Sequence, residues 1–317
     1  MIVREHTTTW LGYLLKMRRG SVSSQIKWRL LFFFLVAMGV TVSADAIREA
    51  RLLLSPLPLS VVGVALSIFL GFRNSAAYDR FWEGRKLWGA LVNTSRTFAR
   101  EVISFPDVAS WPEAQRADVV ALQHRLVRTC IAFVRGLKLH LRDDPSWQQL
   151  GLDDERSEQL QREHNRPTAV VAMMADDLAA LRRSGAVDSF HHAMLARRLG
   201  EFTDIQGGCE RIKSTPIPLS HTALTHRICA LYLLALPLAL LEGAGVLTPF
   251  VTLFVAFAFL GLDAIGDEME DPFGIDLNDL PLDTIATNIE INLRQRLGDP
   301  RDVIPTPPTP DRDGVLL

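Results

Sequence analysis

Long apolar stretches alternate with a polar middle region along this chain. Apolar residues dominate 30–46, which carries a single charge near its end, and again 52–72. At about 1.5 Å of helical rise per residue, the first stretch reaches about 25 Å, close to the hydrocarbon thickness of a bilayer. Two more apolar stretches, 228–241 and 246–262, flank a short turn that contains two glycines. The pattern predicts four transmembrane helices, arranged as an early pair and a late pair.

The region between the two pairs has mixed charge and repeats apolar residues at three- and four-residue spacing. That period is typical of amphipathic helices in water, and no alternating strand pattern interrupts it. The predicted fold class is therefore an all-α membrane protein with a large cytoplasmic helical domain. In chain order we expect a cytoplasmic N-terminal segment, the first helix pair, the helical domain, the second pair, an acidic loop with one cytoplasmic helix, and a disordered proline-rich tail. The corresponding ranges are 1–29, 30–72, 73–220, 221–265, 266–300 and 301–317, and helix 52–72 is expected to continue into the cytoplasm.

Composition and charge narrow the class of protein. Hydrophobic residues make up 48% of the chain and charged residues 22%, which is too apolar for a typical soluble enzyme. The 34 Lys and Arg nearly balance the 36 Asp and Glu, so bulk charge gives no support to nucleic-acid binding. Six Lys and Arg precede the first apolar stretch, whereas the turn between the late pair has none. The positive-inside rule then places both termini in the cytoplasm of a multi-pass plasma (inner) membrane protein.

Two sets of residues at four-residue spacing lie on the second apolar stretch. The first set is made of small residues, which let helix backbones approach closely in lipid: Gly63, Ser67, Gly71 and Ser75. The second set follows one residue later and is apolar: Val64, Ile68 and Phe72. Because the two sets lie about 100° apart, packing on the first turns the second toward whatever the helices surround. Around an axis shared by several copies this makes a pore lined by hydrophobic rings, although a lipid-facing ridge has the same pattern.

Three motifs in this chain resemble the signature of the bestrophin family. The first is the Gly-Phe pair 71–72 followed by the Arg-Phe-Trp triplet 80–82. The others are PIPLSHT at 216–222, before the third apolar stretch, and DPFGIDLNDLPLD at 271–283, after the fourth. They frame almost the entire chain in the family's order.

The resemblance implies a homopentamer around one central pore, and it places the family's three neck positions on Val64, Ile68 and Phe72. Such a channel conducts small inorganic ions through a hydrophobic gate that acts by dewetting. Chloride or another small anion is expected from the family. A cation-selective channel of the same architecture is the alternative, because an acidic cluster follows the fourth span, while Arg73 either attracts anions or forms a salt bridge. The family's second, cytoplasmic constriction falls near 195–202.

The acidic segment after the fourth span is a candidate cation site. Carboxylates at a helix C-terminus are unfavourable unless positive charge is nearby, so a cation or a basic partner is expected there. The resemblance carries the side-chain ligands of the animal calcium clasp onto this segment: Glu268, Asp271, Asp276 and Asp279. Ile275, Leu277 and Asn278 interrupt the family's acidic run, which weakens the cage, and Asp279 and Asp283 also suit the start of the next helix. We expect no required cofactor, with calcium or another divalent cation as the possible ligand.

Two hypotheses from other classes remain open. A membrane-embedded metal-dependent enzyme would need polar groups to converge inside the bundle, and His226 with Asp263 is the pair that approaches this. The interfacial alternative is that His226 and Arg227 extend toward the membrane surface. No Ser/His/Asp set, HExxH motif or phosphate-binding glycine loop is present, so no catalytic residue is predicted. The second of these hypotheses is a membrane scaffold that does not conduct ions. The expected partners are further copies of the chain, small ions and membrane lipid.

Overall fold

The structure is a computed structural model that describes residues 22–310, so the expectations for the first 21 residues and for 311–317 lie outside it. Within the described range every regular element is helical. The α-helices are α1 Val22–Val42, α2 Ala44–Glu49, α3 Pro56–Ser104, α4 Glu113–Leu141, α5 Asp154–Gln161, α6 Arg166–Arg183, α7 Ser189–Ser214, α8 Leu219–Ala244, α9 Thr248–Glu270 and α10 Leu282–Leu297. Short 3-10 turns occupy Trp147–Leu150 and Gly245–Leu247. The prediction of an all-α protein is confirmed.

The chain divides into two compact units, and α3 contributes to both. The first, which we call the membrane unit, contains the described residues up to Trp82 and residues 216–272. The second, the helical unit, contains 83–215 and the described residues from Phe273 onward. The predicted boundary at residue 73 therefore lies ten residues before the division, and α10 belongs to the same unit as the middle region.

The membrane unit consists of α1, α8, α9 and the first part of α3. Its described part has three apolar segments long enough to cross a bilayer: Ser24–Val42, Pro56–Ser104 and Leu219–Glu270. The last of these contains both α8 and α9, joined at the 3-10 turn, where Gly245 has a φ of +53°. The membrane unit contains a hydrophobic core cluster with members such as Phe33, Leu70 and Leu233. Burying these side chains against one another leaves the opposite helix faces exposed and apolar, as in lipid.

Several helix boundaries differ from the sequence-based expectation. The second apolar helix begins at Pro56 rather than at 52, because proline fits the first turn of a helix and disfavours helical geometry in the residue before it. It then runs without a break to Ser104. The first helix starts at Val22 and ends at Val42 rather than spanning 30–46. The late pair is also longer than 221–265, because polar residues continue both helices beyond the apolar stretch.

The helical unit is built from α4 to α7, α10 and the second part of α3. Three aromatic rings meet in its core: the Phe202 ring centroid lies 5.6 Å from that of Phe98 and 5.2 Å from that of Phe133, both edge to face. Trp88, on α3, is completely buried. Residues 301–310, in the first part of the proline-rich tail, have no helix or strand.

A charged contact attaches α10 to α4. Asp283, in the first turn of α10, accepts a hydrogen bond from Lys138 Nζ at 2.6 Å and pairs with Arg142. Burial raises the pKa of this carboxyl, but the hydrogen bond from Lys138 and the charges of Lys138 and Arg142 outweigh it, so the pKa lies below its usual value of 3.8. The carboxylate form is therefore stabilised in the folded state. The carboxylate also interacts favourably with the positive N-terminal end of the helix dipole of α10.

We predict that Asp283→Asn lowers the free energy of unfolding near neutral pH by about 1 kcal/mol, a modest figure because water screens a partly exposed ion pair. Because the folded pKa is depressed, this contribution is fully present above pH 3.8 and disappears as the pH falls below that value. Melting of the purified protein in detergent at pH 7 and pH 3 measures it. Asp302→Asn, at an exposed carboxylate, is the matched control and should change neither curve. An equal difference between wild type and Asp283→Asn at both pH values would contradict the assignment.

Candidate functional site

The first part of α3 has one buried face and one exposed face. The buried positions are Leu66, Leu70 and Ala77, all at most 1% exposed. The exposed positions are Val64 at 63%, Ile68 at 53% and Phe72 at 68%. At about 100° per residue the two sets lie on opposite sides of the helix. The three predicted neck residues thus face away from the chain's own bundle, where a pore axis or lipid can meet them.

The ridge of small residues is divided between two environments. A Cβ atom on Gly63 would lie 2.8 Å from Tyr232 Oη, so this glycine is needed for close packing of α3 on α8 within the chain. Ser67, Gly71 and Ser75 are exposed, and a Cβ on Gly71 would meet open space. Gly63 therefore allows close helix packing within the chain, and packing of the four small residues around a pore stays a prediction. Residues four apart on a helix differ by about 40° in direction. Gly63 therefore faces α8, and the three later small residues point progressively further away from it.

Arg73 is the buried anchor of this helix. It follows Phe72 directly but lies about 100° further around the helix, toward the buried face, and its side chain is 0% exposed. Nη1 donates to Asp263 Oδ1 at 2.6 Å, and Nη2 pairs with Asp267 and lies 3.9 Å from Glu270 Oε2. All three carboxylates belong to α9. Of the two roles considered for Arg73, the structure supports the salt bridge, since a buried guanidinium cannot present its charge to passing ions.

Asp263 joins further helices to this contact. Its second carboxylate oxygen lies 3.0 Å from His226 Nε2, on α8, and 4.0 Å from Arg29 Nη1, on α1. The basic partner that the acidic segment requires is thus supplied mainly by Arg73. Ligand atoms of His226, Asp263 and Asp267 lie within 4.8 Å of one another, a spacing that suits a metal ion. Arg73, however, already engages both carboxylates, so the cluster satisfies itself.

Residues of the first two sequence motifs meet the C-terminal part of α9 within the membrane unit. Asn74 Nδ2 donates to the carbonyl of Leu262 at 3.0 Å, and Arg80 Nε donates to the carbonyl of Glu270 at 3.1 Å. The backbone N–H of Ile217, in the PIPLSHT motif, donates to Glu270 Oε1 at 3.0 Å. The carbonyl of Glu270, the last residue of α9, has no partner inside the helix, so the hydrogen bond from Arg80 caps the helix end. The two motifs therefore build one junction within the membrane unit.

Comparison with known proteins identifies the family. A model of bacterial and fungal bestrophin proteins matches residues 1–295. The chain belongs to the bestrophin family. The voltage-dependent anion channel-forming protein YneE of Salmonella typhi is 39% identical over 315 residues, covering 98% of both chains. Its namesake in Escherichia coli K12 is 37% identical with the same coverage. A crystal structure of a bacterial bestrophin homologue from Klebsiella pneumoniae aligns with a TM-score of 0.79 at 32% identity, covering 87% of this chain and 99% of that one.

The clasp residues of this bestrophin have individual partners. Glu268 accepts a hydrogen bond from Gln25 Nε2 at 2.8 Å within the membrane unit, where Asp271 ends α9. In the helical unit, the backbone N–H of Asp276 donates to Asp279 Oδ2 at 2.7 Å, and Asp279 is 3% exposed. Four carboxylates form the all-oxygen donor set that calcium prefers. The chemistry fits the ion, although Asp279 already uses one oxygen to shape its own loop.

Three apolar residues in the stretch expected to hold the cytoplasmic constriction belong to the core of the helical unit. Leu195, Leu199 and Phe202 are at most 7% exposed and pack inside the helical unit. The amphipathic period of α7 is satisfied by this packing, so these apolar side chains do not line a water-filled passage. The expectation near 195–202 is corrected accordingly for these three residues.

We predict that Arg73→Gln lowers the free energy of unfolding by about 3 kcal/mol, because it leaves buried carboxylates uncompensated. Thermal melting in detergent, followed by tryptophan fluorescence, measures the effect. The matched control is Arg227→Gln, which removes an exposed arginine of the same unit and should leave the melting curve unchanged. Combining Arg73→Met with Asp263→Asn and Asp267→Asn removes both signs of charge and should recover most of the loss. Failure of this combination to melt above Arg73→Gln would show that uncompensated charge is not the cause.

Proposed function

We propose that this bestrophin forms a homopentameric channel that conducts small anions, chloride foremost, across the bacterial plasma membrane. The observation that carries the proposal is the exposed apolar ridge of Val64, Ile68 and Phe72 in a chain related over nearly its full length to proteins named as anion channel-forming. Those relatives are channel-forming proteins and not enzymes, which removes the metal-dependent enzyme as an alternative.

The geometry of α3 supports the proposed neck. Five copies of the helix around one axis present three apolar rings, and four-residue spacing separates successive rings by about 6 Å. A hydrophobic constriction of this kind excludes water when it is narrow. It conducts ions when it is slightly wider, without binding them tightly. The buried Arg73 contact supports this assignment, because it restrains the rotation of α3 so that the ridge faces outward from its own chain. The exposed Ser67, Gly71 and Ser75 lie beside the ridge, where neighbouring helices can approach closely.

The buried ion pairs weaken the argument for a cation-selective pore. The acidic segment suggested a negative field, but Asp263 and Asp267 are paired with Arg73, and Arg29 and His226 lie close to Asp263. Much of that negative charge is therefore neutralised within the chain. A cation-selective channel of the same architecture remains the alternative. The anion-selective and cation-selective channels differ in the sign of the reversal potential under a salt gradient.

The proposed topology has four membrane spans, formed by α1, the first part of α3, α8 and α9, with both termini in the cytoplasm. The six basic residues before the first apolar stretch support this orientation. The short connection at Gly245–Leu247 between α8 and α9 suits an external turn, since it contains no Lys or Arg. Membrane lipid then covers the exposed apolar faces that neighbouring copies leave free.

The proposal is tested with purified protein in planar bilayers under a tenfold chloride gradient. Currents should reverse close to the chloride equilibrium potential, about 59 mV in magnitude for a tenfold gradient of a monovalent ion. Replacing Val64, Ile68 and Phe72 with Ala should raise the conductance severalfold, because smaller side chains widen and wet the neck. The reversal potential should not change, since no charge is altered.

The matched control is Val62→Ala with Phe69→Ala, which shortens exposed apolar side chains on another face of α3. It should leave the conductance unchanged. Reversal at the opposite sign would establish the cation alternative. Silent bilayers, or a native mass in detergent below that of five chains, would refute the pentameric channel.

We further propose that the acidic segment binds calcium through Glu268, Asp271, Asp276 and Asp279. The support is the all-oxygen donor set and the place of these residues within one short acidic segment of the chain. A bound divalent cation would balance the carboxylate charge there. Because the run of acids is interrupted, we expect the ion to stabilise the protein rather than to be required for conduction.

Calcium at 100 times its Kd should stabilise the folded protein by about 2.7 kcal/mol and raise its melting temperature. Replacing Glu268 with Gln and Asp271, Asp276 and Asp279 with Asn should abolish that rise. The control combines Asp118→Asn with Glu155→Gln, which removes exposed carboxylates elsewhere and should preserve it. If calcium does not change the melting temperature of the wild type, the proposed calcium site is wrong.

A further inference from the structure

A cleft in the helical unit lies between the second part of α3 and the end of α10. Its volume is about 520 Å³, and its polar lining includes Arg96 and Arg100 from α3 and Asn292, Gln295 and Arg296 from α10. No Asp or Glu lines it. Three guanidinium groups therefore share a cleft with two amides, which is an environment suited to a negatively charged ligand.

The arginines of the cleft differ from most others in this unit. Arg135, Arg142, Arg156 and Arg198 each pair with a buried or half-buried carboxylate. Among the described residues, no carboxylate lies within ion-pair distance of Arg96, Arg100 or Arg296. Even Arg294, two residues from Arg296, pairs with both Glu290 and Asp299. The positive charge of the cleft is thus left uncompensated by the part of the chain that the structure describes.

Helix ends account for part of this charge but not for all of it. Arg100 lies four residues before the end of α3, and Arg296 lies in the last turn of α10. Each helix C-terminus carries about half a negative charge, which favours arginine there. Two such ends offset roughly one of the three positive charges. About two positive charges remain, enough to attract a divalent or polyvalent anion.

We propose that the cleft lined by Arg96, Arg100 and Arg296 binds a phosphate-bearing anion, through the two guanidinium groups that have no partner within it. This site is separate from the neck and does not depend on the proposed conduction. Arg96 already donates to Asn292 Oδ1 at 2.8 Å and so fixes the two walls. The planar guanidinium groups of Arg100 and Arg296 can each donate two parallel hydrogen bonds to a pair of phosphate oxygens. A chloride ion offers no such pairs, so the cleft distinguishes phosphate from the permeating ion.

The size of the cleft suits a small phosphorylated molecule. Ligand pockets in proteins commonly measure about 300–1,000 Å³, and this one falls in the lower half of that range. The phosphate can come from a soluble di- or triphosphate or from the headgroup of a phospholipid. Both sources offer the same chemistry to Arg100 and Arg296, and the experiment separates them.

The test is isothermal titration calorimetry on the full chain in detergent, at about 0.15 M chloride so that weak, non-specific charge attraction is screened. Pyrophosphate is one titrant, and phosphatidic acid in mixed micelles is the other. We expect saturable binding of one of them. Arg100→Gln with Arg296→Gln should weaken that binding by about tenfold or more, because each substitution removes a charge-assisted hydrogen-bond pair.

Arg183→Gln is the matched control, because Arg183 is also exposed and in the last turn of its helix, α6. It should bind as the wild type does. Binding of pyrophosphate identifies a soluble ligand, and binding of phosphatidic acid alone identifies a lipid headgroup. Absence of saturable binding by either titrant, or equal affinity in the wild type and the double variant, would overturn the proposal.

Discussion

The buried pairing of Arg73 with the carboxylates of α9 is the constraint on which the membrane unit depends. A guanidinium removed from water is strongly unfavourable unless carboxylates and hydrogen bonds replace its hydration. Asp263 and Asp267 supply that replacement, and they in turn require the arginine. The contact therefore admits one rotation of α3 about its axis. That rotation leaves Val64, Ile68 and Phe72 exposed on the far side.

The junction at the end of α9 gives a structural explanation for two of the three family motifs. Asn74, Arg80 and Ile217 all donate hydrogen bonds to the last turns of this helix or to Glu270. A cluster that suggested metal chemistry or a cation-attracting exit is instead largely neutralised by basic residues of the same chain. The cluster fixes α3 against α9 through the ion pairs of Arg73.

Local pattern predicted the features that depend on one segment at a time. Hydrophobic length gave the apolar helices, the three-and-four period gave the helical middle region, and the ridge was visible because its members lie on one helix. The partner of each residue depends instead on which other helix face it meets. Gly63 packs on Tyr232, and Leu195, Leu199 and Phe202 fill a core, although sequence spacing made them look available.

The sequence by itself determined an all-α membrane protein of the bestrophin family, because helix period, apolar length and short motifs are local properties. Only the tertiary structure decided that Arg73 is a buried anchor, since its partners lie 190 residues or more along the chain and no spacing rule links them. It also decided which arginines of the helical unit find carboxylates and which remain in an acid-free cleft. Charge pairing depends on distance in space, and a linear pattern does not contain that distance.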